Sequence, residues 1–313
     1  MSTPAEPGDD RHDDPGLSTV AGERRHLLNL AYRMLGSRAD AEDVVQEAYA
    51  RWYAMSRQEQ DAVKAPGAWL TTVAGRICLN LLGSARVRRE RYVGQWIPEP
   101  VPGDTDWIGG ERSAAPVDPA DRVTLDESIT MAFLVVLEAM TPAERVAFIL
   151  HDVFRYSFAE VAEVVGRTPG ACRQLASSAR RRLRATRAPA ASPAQLAGVI
   201  REFKEAWEAK DIDALVGLLD PGATVTADGG GLANAEPSPL EGGERIARHL
   251  VELATRSVGD LTFEPRTVNA EPGLVARHDG AVVAVYAFAV AEGRITHIWV
   301  VLNPEKLRSW TTD

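Results

Sequence analysis

TPAERVAFILHDVFRYSFAEVAEVVGRTPGACRQLASSARRRLRATR, residues 141–187, places two capped helix starts and a glycine stop in close succession. Thr141, Pro142 and Glu144 supply a helix cap, a first-turn proline and a capping-box acid. Ser157 and Glu160 repeat the box and open a short helix with Phe158, Val161, Ala162 and Val165 on one face. Gly166 stops that helix at the left-handed position where a side chain is strained. Thr168 and Pro169 begin the next helix at once, and Cys172, Leu175, Ala176, Ala179 and Leu183 fall along it with helical period. Its opposite face carries Arg173, Gln174, Ser177, Ser178, Arg180 and Arg181, and residues 167–187 hold seven arginines and no acid. Two short helices, a tight turn and a basic, hydroxyl-bearing second helix suit the DNA major groove. A solvated helical hairpin is the plainer alternative.

A chain of 313 residues suggests two or three domains. It contains no run of about 18 apolar residues, and its first residues are acidic where a signal peptide needs bases and an apolar core. The expectation is a cytoplasmic protein without a membrane contact. Cys78 and Cys172 lie on apolar helix faces without metal-ligand spacing, so they read as small buried hydrophobes, and no metal or cofactor is expected. The net charge of −9 argues against non-specific coating of nucleic acid. Positive charge is local, which suits DNA contact once another component holds the protein in place.

Residues 1–20 read as a polar, disordered tail. Glu23–Leu35 forms a helix ended by Gly36. Asp40 is the expected cap of the next helix, which buries Ala41, Val44, Val45, Ala48 and Trp52 and leaves Asp43, Gln46 and Glu47 exposed. After a polar loop a third helix turns Trp69, Leu70, Val73, Ala74, Ile77 and Leu81 inward. Its extension carries Arg76, Asn80, Arg86, Arg88, Arg89 and Arg91, a second basic cluster. Trp69 could stack a base, but its spacing with Leu70 and Val73 fits a core position better.

RADAEDVVQEAYARWY followed by APGAWLTTVAGRICLNLLGSARVRRER resembles the σ2 domain of extracytoplasmic-function (ECF) bacterial sigma factors, and residues 141–187 resemble their σ4 domain. The resemblance implies two all-α sigma domains, a σ2 helical bundle at 21–95 and a σ4 helix-turn-helix at 128–188, joined by an acidic linker at 96–127. It also implies that Asp40, Asp43, Gln46 and Glu47 meet the β′ clamp of core RNA polymerase, with σ4 reaching the β flap. The −10 promoter element then falls to Arg76, Asn80, Arg86, Arg88 and Arg89. Thr168, Gly170, Arg173, Gln174, Ser177, Arg180 and Arg181 are assigned to the −35 element, with Arg180 and Arg181 closer to phosphate clamps than to base readers. The free chain is expected to be a monomer.

The linker is not a generic one. Tyr92–Pro100, YVGQWIPEP, carries Trp96 and Ile97, and Trp107 follows; such groups are costly to leave in water, so part of the linker should dock on a neighbour. Acids follow at Asp104, Asp106, Glu111, Asp118, Asp121, Asp126 and Glu127, either as a nucleic-acid mimic or as a solubilising run.

APAASP marks a second boundary, and residues 194–313 read as helices at Gln195–Ala209, Ile212–Leu219 and Glu244–Arg256 mixed with β runs ATVTAD, LTFEPRTVN, LVARH, AVVAVYAFAV and ITHIWVVL. Helices and a curved antiparallel sheet give an α+β cone that looks like the SnoaL-like fold. Three segments resemble signatures of ECF sigma factors with a fused SnoaL-like domain, the SigJ-type group: Trp96, Pro98 and Glu99 in WIPEP; Asp228, Gly229, Gly230 and Gly231; and Asn303, Pro304, Glu305 and Lys306 in NPEKL. Leu232 stands where that group has a base, which weakens any salt bridge from there. The resemblance implies regulation of the sigma domains in cis, and contact of these segments with the sigma domains or linker. Two other readings stay open. One is an enzyme of cyclase or isomerase type using Asp228, His249, His278 or His297; the other is a sensor binding a small apolar molecule in the cone.

Overall fold

The computed structural model describes residues 22–89, 92–107, 127–186, 191–256 and 261–311. The expected tail at 1–20, the acids Glu111, Asp118, Asp121 and Asp126, and Arg91 and Arg187 lie outside the described residues.

The first half is helical. Helix α1 (Arg24–Leu35) ends at Gly36, whose φ of 67° is the left-handed conformation a glycine stop supplies. Helix α2 (Arg38–Tyr53) buries Ala41, Val44, Val45, Ala48 and Trp52 as the periodicity requires. Its cap is Ser37, however, and not Asp40: the Ser37 hydroxyl accepts from the Asp40 backbone N–H, leaving Asp40 in the first turn, where a carboxylate suits the helix dipole. The polar loop that follows contains a short helix α3 (Arg57–Ala62), opened by a Ser56–Glu59 capping box. Helix α4 (Pro66–Arg89) centres its buried stripe on Leu70, Ala74, Cys78 and Leu82, one residue round from the expected stripe. Trp69, Val73, Ile77 and Leu81 flank it, half-buried, and Trp69 packs edge-on against Trp52 at 5.2 Å.

Helix α5 (Met131–Glu138) precedes the 141–187 segment. Helix α6 (Pro142–Phe148) has the expected Thr141–Glu144 box and runs into a π-helical turn at Ile149–Val153. Helix α7 (Phe158–Val165) begins at the Ser157–Glu160 box and ends at Gly166, φ 68°. Helix α8 (Pro169–Thr186) buries Cys172, Ala176 and Ala179. One continuous core joins all of these elements except α3, from Leu27 and Trp52 through Leu70 to Ile149, Val164 and Ala179. Two buried arginines cross it. Arg33 of α1 donates to the Ser128 hydroxyl at 2.6 Å, and Arg145 of α6 donates to the Met34 carbonyl at 2.9 Å and to Glu138 at 2.8 Å. Burial pulls the Arg145 pKa down to about 10.

The second half comprises α9 (Pro193–Glu208), α10 (Ile212–Leu218), α11 (Gly243–Arg256) and strands β1 (Leu219–Asp228), β2 (Leu240–Glu241), β3 (Leu261–Val268), β4 (Glu271–His278), β5 (Ala281–Ala291) and β6 (Arg294–Val301). The sheet order is β2-β1-β6-β5-β4-β3. It is mixed and not wholly antiparallel, because β1 pairs with β6 in parallel. Strands β3 to β6 form a meander, while β1 enters before the crossing helix α11, and only such a long connection permits a parallel pair.

Alternate residues of the sheet serve two cores. Ala284, Tyr286, Phe288 and Ile298 face the helices with Phe203 and Trp207. Val275, Val285, Ala287, Trp299 and Val301 face the other way, onto Ile97, Met131, Leu307 and Trp310. Both faces are therefore covered, which explains why AVVAVYAFAV is apolar at every position.

Candidate interdomain and nucleic-acid surfaces

Residues 92–107 run between the two halves and bond to both. On the helical side, the backbone N–H of Glu99 donates to the Gly36 carbonyl at 2.8 Å. The Glu99 carboxylate accepts from the Arg38 backbone N–H at 2.7 Å, at the amino end of α2. Tyr32 donates its hydroxyl proton to the Glu99 carbonyl at 2.6 Å. Burial still holds the Glu99 carboxyl above the usual carboxylate range. Gly36 lets the segment lie this close, since a Cβ there would sit 3.0 Å from the Trp96 ring and 3.3 Å from Pro98. Trp107 packs edge-on against Tyr32 at 5.2 Å. On the sheet side, Gly103 donates to the Thr267 carbonyl, and Asn269 and Val101 exchange bonds, so the segment extends the free edge of β3.

Asp228 ends β1 completely buried, with its carboxylate fully engaged. It accepts from the Tyr92 hydroxyl at 2.6 Å, the Ile97 backbone N–H at 2.9 Å, the Gly230 N–H at 3.1 Å and Lys306 Nζ at 2.7 Å. Lys306 also donates to the Ile97 carbonyl and lies over the Trp96 ring at 4.3 Å. Asn303 donates to the Tyr92 hydroxyl at 2.9 Å. Gly230 has φ 60°, and a Cβ on it would strike the Asn303 amide at 2.3 Å. Gly229 and Gly231 complete the same tight loop, with Gly231 against Val93. The cation at the Asp228 carboxylate is Lys306 of the NPEKL turn, while Leu232 is exposed. Pro304 and Glu305 do not join the seam: both are exposed, and the Glu305 N–H bonds Asn303 Oδ1 to shape the turn.

Two seam groups had no signature in the sequence. Asn269, at the tip of the β3–β4 hairpin, is fully buried; its amide accepts from Val101 N at 3.1 Å and donates to the Tyr32 hydroxyl and the Ile129 carbonyl, both at 2.9 Å. Trp310 donates its indole proton to the Pro100 carbonyl at 2.9 Å. Asn269 and Ala270 both adopt positive φ in the hairpin turn, without the Asn-Gly pair that marks such turns in a sequence.

Asp43, Gln46 and Glu47 are exposed together on α2, with Asp40 half-buried at its start, and Glu47 pairs with Arg51 at 2.8 Å. Asn80 of α4 is exposed. Arg76 is committed elsewhere: its guanidinium donates to the Glu163 carbonyl of α7 at 2.9 and 3.2 Å. Arg86, Arg88 and Arg89 belong to the last turns of α4, and their side chains lie outside the described residues.

On α8, Thr168, Gly170, Arg173, Gln174 and Arg181 are exposed and Ser177 is half-buried. The Thr168 hydroxyl accepts from the Ala171 N–H, and Arg173 lies over the Phe158 ring at 5.1 Å. Gln174, Ser177 and Arg181 share a shallow groove with Arg167. Arg180 departs from the phosphate-clamp expectation. Its guanidinium pairs with Asp152 at 2.7 Å, because its position on α8 faces the π-helical turn.

The cone interior is filled by aromatic rings: Trp207 contacts Phe203, Phe263 and Tyr286, and Phe203 contacts Phe288. Asp228 spends its carboxylate on the seam, and His297 bonds the Thr226 hydroxyl at 3.0 Å and stacks on Trp299. No Asp228–histidine bond occurs among the described residues. Among them, too, no cluster suits a metal ion, and no helix is long and apolar enough to cross a membrane.

Three family profiles match the chain: sigma-70 region 2 at residues 20–88, sigma-70 region 4 at 130–183 and a SnoaL-like domain at 200–301. The ECF RNA polymerase sigma factor SigJ of Mycobacterium tuberculosis is 38% identical over 308 residues, covering 93% of this chain and 92% of that protein. SigI of the same species is 35% identical over 295 residues, covering 94% of this chain and 95% of its own. The crystal structure of M. tuberculosis SigJ superposes with a TM-score of 0.71 at 32% identity, covering 94% of this chain and 98% of that one.

Proposed function

This chain belongs to the ECF RNA polymerase sigma factors with a fused SnoaL-like domain, and from that premise we propose that the seam around Asp228 sets how its promoter-reading domains are presented. As a member of the family it binds core RNA polymerase and directs promoter-specific initiation, and its C-terminal domain is regulatory. The polymerase face is Asp40, Asp43, Gln46 and Glu47, whose acids and amide suit the β′ clamp. The exposed Arg173, Gln174 and Ser177 on α8 are the base-reading groups for the −35 element, with Arg181 on phosphate and σ4 docked on the β flap. Asn80 and the basic end of α4 take the −10 strand.

The observation that carries control in cis is the single buried carboxylate of Asp228. It bonds Tyr92 and Ile97 of the linker and Lys306 of the C-terminal domain. A movement of the C-terminal domain away from the linker carries the Asp228–Lys306 pair with it and breaks the Tyr92 and Ile97 bonds to that pair together, so the seam favours two discrete arrangements, docked and released. The aromatic filling of the cone supports a scaffold role over a ligand pocket. Transcription by core polymerase supplied with the full chain or with Asp228→Asn tests this reading. A changed yield from the same start sites supports it, and an identical yield contradicts it.

A further inference from the structure

The turn that leads into the helix-turn-helix does not follow the α-helical repeat. Between α6 and α7 the Phe154 N–H donates to the Ile149 carbonyl, five residues back, at 3.1 Å, which makes Ile149–Val153 a π-helical turn. Single π-helical turns recur at functional sites. Arg155 then takes a left-handed φ of 66°, and the Tyr156 carbonyl comes back to His151. His151 Nδ1–H donates to that carbonyl at 2.8 Å, which fixes the plane of the imidazole.

Two consecutive residues of this turn reach helix α8. The His151 ring stacks on Phe158, the first residue of α7, with 3.8 Å between centroids and 23° between planes. The Arg173 guanidinium lies over the same Phe158 ring at 5.1 Å. Asp152 pairs directly with Arg180 at 2.7 Å. Arg173 and Arg180 are seven residues apart in sequence, about two helical turns, and so lie on one side of α8. One π-helical turn therefore holds the second helix at two of its arginines. Phe158 shares the apolar stripe of Val161 and Val165, yet those two are buried and Phe158 is only half-buried. Covering the core at that place needs only apolar bulk, whereas resting a guanidinium on it needs an aromatic face.

We propose that Phe158 is a positioning residue for −35 readout, its ring holding the Arg173 guanidinium in the pose that meets a base edge. The inference rests on the reading of Arg173 as a base-reading group. An arginine in open solvent samples many rotamers, and paired hydrogen bonds to a base edge need one of them. A ring steadied by His151 narrows that choice before DNA arrives, so less freedom is lost on binding.

The test is transcription by core RNA polymerase with the full-length chain, scored as the transcript ratio between a matched −35 element and each single-base change in it. Arg173→Ala identifies the base pair that Arg173 reads, as the position where the ratio falls. Phe158→Leu keeps apolar bulk and removes the ring. It should lower the ratio roughly two- to fivefold at that position and leave the other positions unchanged. Phe158→Met, also without a ring, is measured in parallel, so that a folding defect of one replacement does not decide the outcome. Phe158→Tyr keeps the ring and should match the parent. In an Arg173→Ala background, Phe158→Leu should lower the ratio no further. An unchanged ratio in both ringless variants overturns the positioning role. So does an equal loss at every position, a loss that Phe158→Tyr shares, or one that adds to the loss from Arg173→Ala. If Arg173→Ala itself lowers the ratio nowhere, the base-reading assignment fails and the proposal falls with it, an outcome distinct from failure of Phe158 alone.

Discussion

Asn269 and Tyr32 lie 237 positions apart in the chain, yet the Asn269 amide donates to the Tyr32 hydroxyl at 2.9 Å. The same amide holds Val101 and Ile129, and the Tyr32 hydroxyl donates to the Glu99 carbonyl. A single hairpin tip of the C-terminal domain therefore reaches σ2, the linker and the start of σ4.

Asn269→Ala strands several polar groups in the core and keeps a left-handed backbone at φ 51° that alanine dislikes. The expected loss is about 3 kcal/mol, read as an earlier transition in urea. Hydrogen exchange should quicken in α1 and at Val101 before it does in the cone.

Lys306→Met leaves the Asp228 carboxylate buried without its cation. Breaking one side of a buried pair costs about 3 kcal/mol, and the double change with Asp228→Leu should cost less than the single one. Denaturation of the two variants and the parent checks this order.

Burial raises the Glu271 pKa from 4.5 to about 7. The unfolded chain releases this proton near pH 4.5 and the folded one near 7, so this residue makes stability fall as pH climbs between those values and level off above. His297, pulled down to about 4 by burial, slopes the other way between about 4 and 6.5. The check is thus the difference between Glu271→Gln and parent: the variant's advantage should grow from pH 4.5 to 7.

Glu47→Lys and Arg173→Ala should separate two functions. The first weakens core polymerase binding and leaves the start-site pattern of whatever initiates unchanged. The second leaves polymerase binding intact and costs roughly 1–3 kcal/mol of promoter discrimination, measured as the ratio of transcripts from matched and altered −35 sequences.

Capping boxes and glycine stops made the helix-turn-helix legible, because they are local: Thr141, Ser157 and Gly166 act on neighbours within a few residues. The α2 cap was misread at Asp40 because Ser37 and Asp40 are both good caps, and three residues separate them. The seam was only half legible. WIPEP, DGGG and NPEKL pointed to it, but that Lys306 pairs with Asp228 depends on how β1 and the last turn meet in space. Asn269 carried no motif, and Arg76 and Arg180 looked like free cations until the packing gave them Glu163 and Asp152. The second covered face of the sheet was written in the unbroken apolar run of β5, although a cone with one core needs only alternate apolar residues.

The central claim, a sigma factor controlled by its own C-terminal domain, is tested most directly by transcription with purified core RNA polymerase over a genomic promoter library. The full chain and a chain ended after Ala188 are compared side by side. The account predicts that both initiate at promoters sharing the same −10 and −35 elements and that their yields differ. Equal yields from the same promoters would contradict control in cis.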